Sequence, residues 1–268
     1  MRIIYSFVFY LMLPFILARL YWKGRRYPAY RQRISERFCL TKKKRDRVDV
    51  WLHAVSLGEV IAATPLIELL LARQWRVLVT TMTPTGSQQV VRHFGDRVVH
   101  QYVPYDFPWV VRRFYRQFSP RLGIIMETEL WPNLIHQAYK THVPLLLVNA
   151  RLSDGAFKHY LQVAFLFKPI LNQLTFILAQ SHLDAERFMA LGASAKRVKA
   201  VGNLKFDLKI QEKSSISYSE LKNQWGKDRP VLIAASTHEG EEQQLLSRLI
   251  RLRIAIPELL LLIVPRHP

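Results

Sequence analysis

From residue 48 the chain alternates short apolar runs with longer segments of helical period. The apolar, β-rich runs fall at Val48–Ala54, Val77–Met82, Val98–Pro104, Leu122–Glu127, Leu145–Ala150, Phe176–Gln180 and Val198–Gly202. Helical spacing separates them at Val60–Arg73, Ser87–Phe94, Trp109–Phe118 and Asp184–Leu191, and Trp131-Pro132 opens a further helix. Strands that alternate with helices predict a parallel sheet covered on both faces. Seven such strands make a complete doubly wound domain, whose ligands bind at the carboxyl ends of the strands.

The pattern then breaks. Ile210 to Lys227 is polar and reads as a linker with one short helix. The alternation restarts with a strand at Pro230–Ser236, a helix at Gly240–Arg253 and a strand at Leu259–Val264, followed by Pro-Arg-His-Pro. Two strands and one helix cannot bury both faces of a sheet. The segment therefore reads as the start of a second Rossmann-like domain in a C-terminally truncated chain. Ahead of the first strand lies the uncharged run Ile3–Ala18. As a helix it spans about 24 Å, short of a bilayer core of about 30 Å. Extended through a snorkelling Arg19 to Tyr21 and Trp22, it becomes long enough and gains interfacial aromatics. No small-residue cleavage site follows, which argues against a signal peptide. Membrane anchoring and a buried core helix are both open readings. The expected divisions are an anchor helix at 1–22, an α/β domain at 23–209, a linker at 210–229 and the second domain from 230.

Charge sharpens the N-terminal reading. The 268-residue chain carries 39 Lys and Arg against 20 Asp and Glu, a net charge of +19. Residues 1–50 hold more than half of that excess, next to the apolar run. A basic flank stays cytoplasmic and attracts anionic lipid. Lys-Lys-Lys-Arg at 42–45 is either a solvated loop or a headgroup contact. Charge alone would also suit nucleic acid, but no nucleic-acid motif is present and the basic cluster sits beside an anchor. The single cysteine, Cys39, excludes an intrachain disulfide framework. Half of the residues are apolar, which excludes a disordered chain.

Dinucleotide, P-loop, nucleophile-elbow and HExxH motifs are all absent, so no metal and no cofactor is expected. The candidate chemistry lies at strand ends. The first strand runs into Ser56-Leu-Gly58-Glu59, with Glu59 in the first turn of a helix. A helix N-terminus favours its ionised form by about 0.3–1 kcal/mol, and it serves either as a cap or as a proton acceptor. The fourth strand ends in Glu127-Thr-Glu129, and alternation would point both carboxylates the same way if the strand continued. Thr-Pro-Thr85-Gly86 after the second strand is a helix N-terminus able to cradle an anion or sugar. Lys205 follows the seventh strand. Ser236, Thr237 and His238 follow the first strand of the second unit, where the hydroxyls could cap a helix or bind phosphate. Arg266 and His267 follow the last strand, where an arginine suits phosphate. The aromatic and arginine-rich helix 107–118 could lie on a membrane or pack on the sheet.

Taken in order, SLGEV, TTMTPTGS, ETELWPN, NARLS, GNLKFD, STHEGEE and PRHP resemble the 3-deoxy-D-manno-octulosonic acid (Kdo) transferases of lipopolysaccharide biosynthesis, over essentially the whole chain. The resemblance implies a two-domain glycosyltransferase B-type fold on the cytoplasmic face of the inner membrane. It implies CMP-Kdo as donor, a lipid A precursor (lipid IVA) as acceptor and inversion without a metal. By its motifs Glu59 is the general base, while Glu127 and Lys205 stabilise the transition state. Arg266 and His267 touch the donor, with Ser236, Thr237 and His238 beside them. Ser56, Gly58, Thr85, Gly86 and Glu129 fall to the acceptor side. The family continues past PRHP through a nucleotide-binding domain, so this chain alone is expected to have little activity. The alternatives are a related membrane glycosyltransferase using a UDP-sugar, and a non-catalytic lipid-binding fragment.

Overall fold

Each of the seven apolar runs becomes a strand in a computed structural model that describes residues 2–41, 47–207 and 218–266. The strands are β1 (Val50–His53), β2 (Val77–Thr81), β3 (Val99–Tyr102), β4 (Leu122–Met126), β5 (Leu145–Ala150), β6 (Phe176–Ala179) and β7 (Val198–Ala200). They form one parallel sheet in the order β3-β2-β1-β4-β5-β6-β7. Successive side chains point to opposite faces, and both faces are apolar. Trp51, Leu78, Ile125 and Leu147 enter the core on one side; Val50, Leu52, Val79 and Ile124 enter the other. Each such fully buried aliphatic side chain contributes about 1.5–3 kcal/mol.

Helices α1 (Arg2–Leu11), α2 (Leu13–Arg26) and α3 (Ile34–Arg37) precede the sheet. Within it come α4 (Leu57–Ala72), α5 (Pro84–Phe94), α6 (Pro108–Phe118), α7 (Pro132–Lys140), α8 (Asp154–Gln162), α9 (Ala164–Leu171) and α10 (His182–Ala190). α4 and α5 cover one face through Val60, Ile67, Val90 and Phe94, whereas α6, α7, α9 and α10 cover the other. α6 buries Val110, Val111, Phe114 and Phe118 and so packs on the sheet. The chain winds outward from β1 to β3, then returns to the opposite flank of β1 as β4. β1 and β4 are therefore the switch point, where consecutive loops part and leave a crevice.

The single N-terminal helix expected from hydropathy is two helices bent by 50°. Pro14 lies in the first turn of α2, where it has no N–H to donate back to α1. No single described helix is long and apolar enough to cross a membrane, although the bent pair passes that test jointly. One face of the pair docks on the sheet domain. Phe9, Leu13, Ile16 and Leu20 join its core, and the Ser6 hydroxyl donates to Asn133 Oδ1 at 3.1 Å. Asn133 in turn donates to the Asp106 carbonyl, and Asp106 accepts the N–H groups of Asn133 and Leu134 at 2.9 and 2.8 Å. The opposite face exposes Ile3, Phe7, Phe15 and Trp22.

The chain divides into two units, Met1–Leu208 and Lys209–Pro268. In the second, α11 (Tyr218–Trp225) precedes β8 (Val231–Thr237), α12 (Glu241–Ala255) and β9 (Leu260–Pro265). β8 and β9 pair in parallel, with α12 as the crossover. α12 buries none of its residues, and Ile250 and Ile254 are 74% and 79% exposed. Lys42–Arg45 and His267 lie outside the described residues.

Candidate active site

Glu59 stands at the switch point. Ser56 caps α4, its hydroxyl oxygen accepting the Glu59 N–H at 3.4 Å. The Glu59 side chain folds back over this turn. Its Oε2 accepts the Val55 N–H at 2.8 Å, and its Oε1 accepts the Ser56 hydroxyl at 2.9 Å. One lone pair of each oxygen is thus fixed, which holds the carboxylate in a single orientation. Glu59 is only 8% exposed. Burial pushes its pKa up from 4.5 to about 6, against the lowering effect of the two donors; the charges of Glu127 and Glu129 raise it further. Burial therefore outweighs the stabilisation of its ionised form expected at a helix N-terminus.

Glu127 and Glu129 come together by a different route from the one alternation suggests. β4 stops at Met126, and Glu127 adopts φ +56° in the left-handed region. Its N–H still donates to the Val148 carbonyl at 3.0 Å, so the sheet holds it there. A tight turn follows, in which Leu130 N–H donates to the Thr128 carbonyl, and the Thr128 hydroxyl donates to the Arg151 carbonyl. Trp131 Nε1 donates to Glu129 Oε2 at 2.7 Å. Burial raises the Glu129 pKa, assisted by Glu127. The turn, rather than a continuing strand, brings two carboxylates near enough for their charge to be felt at Glu59. A non-glycine residue held at positive φ costs about 1–3 kcal/mol and tends to mark functional positions.

The second helix N-terminus abuts the first. Thr83 caps α5 by accepting the Gly86 N–H at 3.2 Å, and its own N–H donates to the Val55 carbonyl at 3.1 Å. Gly86 is buried, and a β-carbon there would lie 3.2 Å from the Ser56 carbonyl carbon. It is a packing glycine that lets α5 reach α4. Gly58 and Thr85 are exposed, and a β-carbon at Gly58 would meet the Ser56 hydroxyl oxygen at an ordinary 4.0 Å.

Lys205 lies in the 3-10 turn Leu204–Asp207. Leu204 packs on the core that α4 lines, so Lys205 comes up beside that helix; its side chain is exposed. Asn149, which motif reading passed over as a site residue, builds this turn. It lies at φ +56° near the end of β5, and its Oδ1 accepts the Leu204 N–H at 3.1 Å. Its carbonyl accepts Gln180 Nε2, and Gln180 accepts Asn203 Nδ2 in turn, each at 3.0 Å. The signal in the sequence was an asparagine at a strand end, a residue that tolerates left-handed backbone. His53, the last residue of β1, is fully buried and donates or accepts at Thr80; burial lowers its pKa to about 4, leaving it neutral.

In the second unit Ser236 has φ +59°, and the cap of α12 is Gly240 rather than Ser236 or Thr237. The Thr237 hydroxyl donates to Glu242, and the His238 N–H donates to Glu241 Oε2 at 2.8 Å. The first two residues of α12 thus hold the Thr237 hydroxyl and the His238 N–H, and neither Ser236 nor Thr237 caps the helix. Arg266 N–H donates to the Thr237 carbonyl at 3.1 Å, which joins the two strand ends. Among the described residues no group of three or more His, Cys, Asp or Glu could hold a metal ion.

The parallel sheet with its acidic switch point has the glycosyltransferase B-like architecture. UDP-GlcNAc 2-epimerase from Neisseria meningitidis superposes with a TM-score of 0.56 at 14% identity, over 80% of this chain and 64% of that one. A glycosyltransferase from Rickettsia africae does so with a TM-score of 0.51 at 9% identity, over 84% and 69%. Sequence narrows the class. The 3-deoxy-D-manno-octulosonic-acid transferase (kdotransferase) family matches residues 32–208, and the chain belongs to that family. It is 38% identical to the 3-deoxy-D-manno-octulosonic acid transferase of Haemophilus influenzae, over all of this chain and 64% of the relative. The Bordetella pertussis enzyme is also 38% identical, over 82% of this chain and 52% of its own length. A bifunctional glycosyltransferase/methyltransferase of Fusobacterium nucleatum is 32% identical, over 88% and 36%. The chain thus spans less than two thirds of these relatives.

Proposed function

We propose that this chain supplies the acceptor side, and the beginning of the donor side, of an enzyme that transfers Kdo from CMP-Kdo to a lipid A precursor such as lipid IVA. The carrying observation is the buried Glu59 carboxylate, oriented by Val55 and Ser56 at the switch point, with a pKa of about 6. A base poised just below neutral pH is ionised when needed and still accepts a proton readily. An acceptor hydroxyl attacks the anomeric carbon while Glu59 takes its proton. The bond from that carbon to the phosphate oxygen breaks, and CMP leaves with the electron pair. One displacement inverts the centre. Glu127 offsets positive charge developing on the sugar ring, and Lys205 pairs with the anionic donor.

Ser56, Gly58, Thr85 and Glu129 face the acceptor, with Gly86 as their packing support. Ser236, Thr237, His238, Arg266 and His267 belong to the donor side, in a second domain that starts at residue 230. The bent α1–α2 pair replaces a single anchor helix. Its exposed apolar face, flanked by Arg25 and Arg26, holds the protein on the cytoplasmic face of the inner membrane, against anionic lipid.

The test grafts this chain onto the Haemophilus influenzae transferase in place of the matching segment. Mass spectrometry then follows the lipid A precursor. A product heavier by one Kdo, inhibited by CMP and not by UDP, supports the reading. Inhibition by UDP points to a UDP-sugar transferase, and glycolipid binding without transfer to a non-catalytic role.

A further inference from the structure

A cavity of about 310 Å³ lies between the N-terminal helices and the carboxyl end of the sheet. Its charged lining is entirely cationic: Arg19, Lys23 and Arg37. Arg37 is the unusual member. It is 2% exposed, and its Nε has no hydrogen-bond partner among the described residues. Its Nη2 donates to the Met82 carbonyl at 3.0 Å, and its guanidinium lies 4.1 Å from the centre of the Tyr102 ring. The adjacent carboxylate of Glu36 is already taken by Arg33 at 2.8 Å and by the Tyr102 N–H at 3.0 Å. A buried guanidinium without a carboxylate is costly unless an anion completes it. Burial lowers the Arg37 pKa, only partly offset by the nearby tyrosines and by the Glu36 charge acting through space.

The other cations reinforce this. Arg19 lies near enough to Tyr105 for its charge to be felt there, and Lys23 Nζ sits 5.4 Å from the centre of the Tyr30 ring. Phe9, Ile16 and Leu20 of the helix pair give the cavity an apolar side. Two lining residues, Thr83 and Trp131, also touch the candidate active site, through Val55 and Glu129 respectively. The cavity is thus linked through Thr83 and Val55, and through Trp131 and Glu129, to the residues around Glu59. The volume is at the small end for ligand sites, enough for a headgroup and the start of a chain.

We propose that this cavity binds one phosphate of the acylated glycolipid acceptor on Arg37, Arg19 and Lys23, with the first part of an acyl chain along Phe9, Ile16 and Leu20. The assignment rests on the transferase reading and adds to it a phosphate subsite formed jointly by α2 and α3. It explains why the helix pair is docked on the domain rather than tethered to it: the pair is a wall of the site.

The experiment measures binding of lipid IVA, of its dephosphorylated form and of phosphatidylglycerol, each in the same detergent micelles, to the 268-residue chain. The variants are Arg19→Gln with Lys23→Gln, Arg37→Lys, and Ile16→Trp, with thermal unfolding as the check on folding. Wild type should bind the phosphorylated glycolipid roughly tenfold or more tightly than the dephosphorylated form. The double variant should erase that difference, Arg37→Lys should reduce it, and Ile16→Trp should weaken both glycolipids. Equal affinities, or a double variant that behaves as wild type, overturn the subsite and leave the transferase reading intact. The same pattern with phosphatidylglycerol also overturns it, because the cations would then read bilayer headgroups. Failure of wild type to bind lipid IVA at all removes the transferase reading together with the subsite.

Discussion

Glu59 combines two demands that conflict. Burial suits a base, because it lifts the pKa toward the working range, but it also penalises the ionised form. The folded-state pKa lies above 4.5, so the fold prefers the protonated carboxyl. That preference costs nothing below pH 4.5, sets in as pH rises to about 6 and is complete above it. Glu59→Gln should therefore flatten the fall in stability between pH 4.5 and 7 in a denaturant titration while removing the proposed base. For the grafted enzyme, kcat/KM should rise with pH through about 6, and that limb should vanish in the variant. Glu127 carries a second cost. Glu127→Gly relieves the left-handed backbone and should stabilise the fold by about 1 kcal/mol, at the expense of transfer. An acid in a first helical turn could be read in the residues around Glu59. Its raised pKa could not, since it comes first from burial in the folded domain and only then from carboxylates some seventy positions away.

At the level of elements the site is the meeting of two helix N-termini with one turn. α4 and α5 approach closely at Gly86, where a β-carbon would lie 3.1 Å from the Thr83 hydroxyl oxygen and 3.2 Å from the Ser56 carbonyl carbon. Gly86→Ala forces the Ser56 backbone to give by a few tenths of an ångström and should cost about 1–3 kcal/mol in thermal unfolding. Its effect on transfer should exceed that of Gly58→Ala, whose β-carbon meets only the Ser56 hydroxyl oxygen, at 4.0 Å. The strands and most helices were legible as alternation of apolar runs. Two features were not. The end of β4 looked like strand because Glu127 follows an apolar run, and only the chain reversal made the turn visible. The N-terminal run looked like one helix because hydropathy ignores the missing proline N–H at Pro14.

For the whole molecule, alternation announced a parallel sheet, but strand order is a property of crossover direction that no local pattern encodes. The switch point between β1 and β4, and with it the convergence of Glu59, Glu127 and Glu129, emerges only at this scale. The same is true of the helix pair, whose inner face proved to be part of the domain. Its outer face and basic flank should make binding to anionic vesicles weaken as salt rises from 0.05 to about 0.5 M, with a residual apolar component that salt does not remove. The central claim is that Glu59 is the base of a Kdo transfer. It is tested most directly by the rate of Kdo transfer from CMP-Kdo to lipid IVA by the graft with the Haemophilus influenzae enzyme, compared with its Glu59→Gln form. Glu59→Gln should lower kcat by about 10²–10⁴-fold with the fold retained. A variant that transfers Kdo at a rate near that of the parent would contradict it.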